Sequence, residues 1–547
     1  MKPSTEEFEC KARLAPEAYT VSGIPIKIVY DQNDLKDFTY EQDIGSPGEF
    51  PFTRGVYPCM YREQFWTMRQ VMGIGTGRDS RERIRYLLEM GQTGIAIVPD
   101  VATTWGLDSD NPRSEGEVGR LGVALSSLQD MEDLFKDIPL DKITISLVTS
   151  GNACYIMAMY IALAKKKGIP LESLIGSVQN DVLREFYARG MWIILPLEAS
   201  LKLCVDIIEF CTKNVPRWNV NTIAGYQTRE SGANAVQEVA FLLADSMAYI
   251  EACINRGMNI DEFALRFSFY MSSHTYLFEE VAKFRAARRM YAKIMKEKYG
   301  ARDSRSLRFR FHVQTAANTL TAQQPLNNSV RVTLQALAAV LGGAQSLHTN
   351  AIDEAYATPR EESARNALRV QQIIAYESGA GDTVDPLAGS YFVEALTNKI
   401  EEEAWRLIED IEKQGETMLD AVLNCIKRGY FANQIKEEFY GYQKDIESGK
   451  RVVVGVNRFQ VEEDLDIPVL EYSQEWAEEQ QKSLRRMREE RKNDAVEASI
   501  NRIKAEAQKG VNLIPALIEA AGNYVTMGEV FDALRDVYGS YNPTGAF

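Results

Sequence analysis

At 547 residues, 45% hydrophobic and 25% charged, the chain has more length than one ordinary domain and ample material for a core. Its net charge of −15 argues against general binding to nucleic acid or an anionic membrane, whose phosphates would repel it. Seven scattered cysteines, none paired as CxxC, suit reduced thiols and no metal site. Only three histidines (His274, His312, His348) leave little for Ser/His, Cys/His or hydrolytic metal machinery.

The N-terminus "MKPSTEEFECKARLAPEAY" has no apolar leader, and no run approaches membrane-spanning length, so a cytoplasmic location is expected. Residues 1–55 read as an irregular polar arm. From about residue 90, short apolar runs alternate with amphipathic stretches such as "ACYIMAMYIALAKKKG". Candidate strands are 93–100, 143–150, 174–179, 191–196, 221–227, 265–271, 307–315 and 344–350. Eight strands alternating with helices predict a (β/α)8 TIM barrel over 56–395. A doubly wound open sheet is the rival, but no GxGxxG turn follows an early strand. The candidate strands end on Asp100, Thr149, Gln179, Gln227, Gln314 and Asn350, which a barrel would gather on one face. Residues 396–470 predict a helical region on the barrel. The charged stretch in 471–547 predicts a linker or exposed helix, followed by C-terminal helices that either dock a partner or pack back on the chain.

Several segments together resemble the large, substrate-binding chain of the methylmalonyl-CoA mutase family, the adenosylcobalamin-dependent acyl-CoA mutases. They are "RGVYPCMYREQFWTMRQ" (54–70), "LDSDNPRSEGEVGRLGVALSSLQDM" (107–131), "VQNDVLREF" (178–186), "AGYQTRESGA" (224–233), "EEVAKFRAARRMYAKI" (279–294), "AQSLHTNAIDEA" (344–355) and "ESGAGDTVDPLAGSYFVE" (377–394). The resemblance runs over roughly 20–455. It implies a barrel with acyl-CoA threaded along its axis and a radical rearrangement in which the cofactor carries the hard chemistry. The family holds cobalt through a His in a DxHxxG motif on a flavodoxin-like domain. None of the three histidines lies in that motif, so a small cobalamin-binding partner subunit is expected, in a heterodimer or heterotetramer, with no metal ligand on this chain.

The resemblance assigns Gln314, Asn350 and Glu354 to the adenosyl ribose. It puts Tyr226 against the adenosyl group and reacting carbons, and Gln179 near the thioester. Arg266 and Arg69 fall to the phosphate-bearing part of CoA, and Thr67, Tyr57 and Met60 to the CoA channel. Departures matter equally. The His that follows Tyr in methylmalonyl enzymes is Gln227, which can donate to a carbonyl but carries no charge. The Tyr that touches the substrate carboxylate is Val71. Thr104 and Trp105 replace a His-Arg pair, and Gln64 an Arg. Arg189 matches the Arg that pairs with the free carboxylate of the acyl group, where monocarboxylyl members have Gln. Val98 stands where the hydroxyisobutyryl type has Asp.

These features imply interconversion of a branched malonyl-CoA-type and a succinyl-CoA-type thioester, with Val71 leaving room for a substituent bulkier than methyl. Rearrangement of a branched monocarboxylic acyl-CoA (isobutyryl, 2-hydroxyisobutyryl or pivalyl type) and a non-catalytic assembly subunit are the alternatives.

Overall fold

The computed structural model describes residues 18–35, 38–190, 193–462 and 467–541. After a small antiparallel hairpin, β1 (Ala18–Tyr19) and β2 (Pro25–Ile26), every strand pairing between named strands is parallel. One set runs β4 (Val71–Met72), β5 (Ile95–Ile97), β6 (Ile145–Leu147), β7 (Gly176–Val178) and β8 (Trp218–Asn219). The other runs β3 (Thr67–Met68), β12 (Ser346–His348), β11 (Phe311–Thr315), β10 (Phe267–Ser273) and β9 (Asn221–Ala224). β3 and β4 are separated only by Arg69 and Gln70, and β8 and β9 only by Val220. The two sets therefore join at both edges, and the pairings run in a closed cycle. The result is a mixed α/β, TIM-barrel-like arrangement without the two free edges of an open sheet.

Two expectations are corrected. Residues 193–196 form no strand, and the remainder of the 191–196 run lies outside the described residues. Ile194 and Leu195 are apolar because they are buried in a loop leading to the helix Leu197–Asn214. The first strand position is filled instead by 67–72. There the outward Met68 and Met72 are buried in the core, while Thr67 and Val71 face a cavity.

Helices follow the strands in turn, from Gly77–Glu89, opened by a Thr76/Asp79 capping box, to Glu361–Tyr376. Ala153–Lys166 is buried over residues 153–164 on every side, since Ile514–Gly522 from the C-terminal region covers its outer face. The charged stretch expected as a linker or exposed helix is two helices, Gln474–Glu490 and Asn493–Gln508. They are tied to the strand–helix loops: Arg488 pairs with Asp108 at 2.6 Å and with Asp110 at 2.5 Å. Asp108 in turn accepts from the Gly528 N–H at 2.7 Å at the start of the helix Met527–Tyr538. The C-terminal helices thus pack back on their own chain.

The helix Leu277–Lys293 is the least expected element. Lys283, Arg285, Arg288 and Arg289 are all at most 2% exposed, and each has its own partners. Lys283 lies between Glu238, at 2.6 Å, and Glu280. Arg285 pairs with Asp385 and Glu394, and Arg289 with Glu401. Arg288 donates to the carbonyls of Phe52, Thr53 and Gly342. Such burial is tolerable only because the donors are paired.

Candidate functional site

A cavity of about 190 Å³ runs within the ring of strands, lined by residues from all of its sectors. Its wall is unusual. Barrel interiors are ordinarily filled with branched aliphatics, whereas here the inward positions carry Thr67, Ala96, Ser146, Ser177, Thr222, Ser268 and Ser346. Small hydroxyl side chains leave the axis hollow and offer hydrogen bonds to whatever passes through. A Cβ at Gly176 would run into the Ile145 carbonyl and the Trp218 ring, so β7 can lie this close to its neighbours only with glycine there.

Thr67, Arg69, Val71, Gln179 and Tyr57, all expected from the sequence, line this cavity. Arg69 donates to the Ile95 carbonyl at 3.2 Å and the Thr144 hydroxyl at 3.1 Å, and burial lowers its pKa to about 10. Gln179 is 3% exposed, and its Nε2 finds no hydrogen-bond partner among the described residues. Met60 lies apart, in an adjoining hollow with Tyr57, Gln64 and Trp66.

At the N-terminal ends of β10 and β11, Arg266 gathers with Arg305, Arg308, Arg310 and Tyr57 around a further hollow. Burial first, then the charges of Arg310, Arg305 and Arg217, lowers the Arg266 pKa. Like charges held together in an acidic protein call for a polyanion. Of these four arginines only Arg266 was expected. The period-2 spacing of Arg308 and Arg310 in "LRFRFH" was the available signal.

At the opposite, C-terminal ends of the strands, Tyr226 opens the short helix Tyr226–Glu230 and stacks on Tyr270, with ring centroids 4.9 Å apart and planes at 3°. The Tyr270 hydroxyl donates to Gln314 Oε1. Gln314 Nε2 donates to Asn350 Oδ1 at 2.9 Å, and Asn350 Nδ2 to the Thr315 carbonyl at 2.7 Å. Tyr226, Gln314 and Asn350 are therefore brought together, with Tyr270 as a member missed in the sequence. Glu354 stands beside them, half-buried. Burial, reinforced by Asp353, pushes its carboxyl up to about 7. Gln227 is buried next to Tyr226, and its Oε1 has no hydrogen-bond partner among the described residues.

Arg189 closes the turn Glu185–Arg189, ended by Gly190 at φ 69°, a left-handed conformation that glycine adopts without strain. Burial lowers its pKa; Glu185 opposes that shift and Arg184 adds to it, and the hydroxyls of Tyr270 and Tyr226 lie within its field. Behind it Arg184 is fully buried against Glu185, at 2.7 Å, and Asp181. Asp181 also accepts from the Ala224 N–H at 2.8 Å, so one ionic cluster braces both Arg189 and the strand that delivers Tyr226. Two expected strand ends serve structure instead. Asp100 caps the turn Val101–Thr104, and Thr149 bonds to Asn152.

Glu230, inside "AGYQTRESGA", is a further missed residue. Its Oε2 accepts from the Asn318 N–H at 2.8 Å, and Oε1 has no hydrogen-bond partner among the described residues. Burial, with Glu354 adding to it, pushes the carboxyl from 4.5 up to about 8. The native state therefore holds this proton more tightly than the unfolded chain, and the stability tied to it is lost as pH rises from about 5 to 8. Glu230→Gln is expected to keep the neutral acceptor, so its advantage in melting temperature over wild type should grow from pH 5.5 to pH 8.5. A constant difference across that range would show that the carboxyl ionises normally.

Among the described residues no group of three or more His, Cys, Asp or Glu is arranged to hold a metal ion. No helix there is long and apolar enough to cross a membrane.

The methylmalonyl-CoA mutase family profile matches residues 19–540. The chain is 46% identical to the 2-hydroxyisobutanoyl-CoA mutase large subunit of Aquincola tertiaricarbonis, over 97% of this chain and 93% of that protein. It is 41% identical to the methylmalonyl-CoA mutase of Escherichia coli, over 95% of this chain and 72% of that protein. For the human mitochondrial methylmalonyl-CoA mutase the identity is 38%, over 96% and 69%.

Proposed function

Because the chain belongs to the methylmalonyl-CoA mutase family, a family of isomerases, we propose that it is the substrate-binding subunit of an adenosylcobalamin-dependent mutase acting on dicarboxylyl-CoA thioesters. The observation that carries this reading is the axial cavity, which shares Tyr57 and Arg310 with the arginine hollow at Arg266 and is lined at its other end by Tyr270, the residue stacked on Tyr226 and hydrogen-bonded to Gln314. CoA is a long polyanion with a narrow pantetheine arm. Its phosphates suit the guanidinium cluster, its amides suit Ser146, Ser177 and Ser268, and its acyl group then reaches the C-terminal mouth.

There Gln179, with an unpartnered amide N–H, donates to the thioester carbonyl, and Gln227 takes the place of the family's histidine. Arg189 holds the distal carboxylate as a fork. The mouth also suits an adenosyl group: two linked amides, Gln314 and Asn350, face a carboxyl, Glu354, that can accept ribose hydroxyls. Bound there, adenosylcobalamin would supply the radical chemistry that the rearrangement needs. The stacked Tyr226–Tyr270 pair would hold the acyl group at the mouth and keep water out. The three histidines lie outside any DxHxxG setting, which fits a cobalt held by a small partner subunit. The large-subunit name of the Aquincola relative supports that division.

A second reading, a branched monocarboxylic substrate, is favoured by the 46% identity to a 2-hydroxyisobutanoyl-CoA mutase. Val98 and Arg189 weigh against it, since a valine cannot accept a hydrogen bond from a hydroxyl and a guanidinium fork is matched in shape and charge to a carboxylate. The test is to combine the purified chain with a DxHxxG small subunit and adenosylcobalamin and to follow isomer formation by mass spectrometry. Methylmalonyl-, alkylmalonyl- and isobutyryl-CoA form the panel. Turnover confined to the dicarboxylyl members is expected; preference for isobutyryl-CoA sinks the reading. Inactivity with every thioester would favour a non-catalytic subunit.

A further inference from the structure

The apolar corner of the cavity mouth is unassigned. Parallel register puts Val71 opposite Ala96 and Ala96 opposite Ser146, on one level of the wall. The ladder continues one level higher. The Val98 N–H donates to the Met72 carbonyl at 2.9 Å, the Val148 N–H to Ile97 at 2.8 Å and the Gln179 N–H to Leu147 at 2.9 Å. By the period of two, Val98 and Val148 point to the same side as Ala96 and Ser146. Val71, Val98 and Val148 are all half-buried, whereas the intervening Met72, Ile97 and Leu147 are at most 6% exposed. Val71 and Ala96 on one level, with Val98 and Val148 above them, thus make a contiguous apolar sector, of which Val71, Ala96 and Val148 line the cavity. Val148 stands in it directly beside Gln179.

We propose that this corner is the subsite for a hydrocarbon branch on the acyl group, and that Val148 sets the size of branch admitted. The inference rests on the dicarboxylyl-CoA reading. The thioester lies by Gln179, the carboxylate by Arg189, and the abstracted hydrogen must face Gln314 and Asn350, halfway round the ring from β6. A further substituent on the reacting carbons is left only the direction of β4, β5 and β6, where Val71, Val98 and Val148 stand. The substrate class is therefore an alkyl-branched malonyl- or succinyl-CoA, and each methylene received by the corner is worth roughly fourfold in affinity.

The test measures binding to the full chain by calorimetry, with methylmalonyl-CoA and butylmalonyl-CoA as one pair. Wild type is expected to favour the butyl member at least tenfold. Val148→Phe, which fills the corner, should lower that ratio at least tenfold, and Val148→Ala should shift the preference toward longer branches. Thermal melts identify a variant that fails to fold, in which case the other carries the measurement. Wild-type indifference to branch length, or an unaltered ratio in the folded variants, overturns the proposal. A second pair, isobutyryl-CoA and 2-methylhexanoyl-CoA, separates the two readings. If both monocarboxylyl thioesters bind better than the first pair, the Arg189 assignment fails, while their mutual ratio and its response to Val148 still report on the corner.

Discussion

Arg189→Gln is expected to lower kcat/KM for a dicarboxylyl-CoA by two to three orders of magnitude and to raise it for a monocarboxylyl-CoA of similar size. Truncating one partner of an enclosed, charge-assisted pair costs about 3–5 kcal/mol, because the other charge is left without its counterion. Here the stranded charge would be the substrate's own carboxylate. Glutamine keeps a donor of similar reach, so the variant removes charge and the bidentate fork but little volume. The gain for a neutral acyl group follows from the exchange of a cation, which such a substrate cannot pair, for a neutral amide. Steady-state kinetics of the reconstituted enzyme on both substrate types gives the answer. Dicarboxylyl turnover that survives the change within about threefold would remove Arg189 from the acyl site.

Lys283→Met should be the most damaging single change to the fold. Its ammonium is fully buried between Glu238 and Glu280 and also donates to the Ser272 carbonyl at 2.8 Å. Without it two carboxylates face each other in the interior, a loss of about 3–5 kcal/mol. Glu238 also accepts from the Ser272 N–H at 2.7 Å, and its Cγ lies against Gly225, the residue before Tyr226. The damage should therefore reach the stacked tyrosines. Urea unfolding of Lys283→Met and of Lys283→Met/Glu280→Gln tests this. The double variant, with one carboxylate neutralised, should recover part of the loss. Equal stability of all three proteins would mean that the triad contributes nothing net.

This helix also shows where the sequence was legible and where it was not. "EEVAKFRAARRMYAKI" was legible as a family motif, but its burial was not, because periodicity arguments equate charge with surface. It lies inside because each cation meets a carboxylate or carbonyl from a distant element, a pairing that local spacing cannot reveal. The first strand was hidden for a related reason. A hollow axis leaves Thr67, Arg69 and Val71 without the apolar alternation that marks an ordinary barrel strand, and "MWIILP" offered a more apolar decoy. The polar residues at Gln179, Gln314 and Asn350 were readable as strand ends. The family motifs, in contrast, pointed to Tyr226 and Arg189 with no appeal to periodicity. Tyr270 and Glu230 escaped notice because a buried tyrosine and a helical glutamate are ordinary until their neighbours are known.

The hydroxyl-lined axis has a mechanical consequence. A conventional barrel is braced from within by interlocking aliphatic layers, whereas this one is a sleeve, held open by its outer helices and their buried ion pairs. Internal void is what hydrostatic pressure acts on, since unfolding eliminates it. A thiol ester drawn through the sleeve would fill that void and act as a removable core. Substrate binding then completes the interior of the protein as well as its active site, and the empty enzyme is the more compressible of the two states.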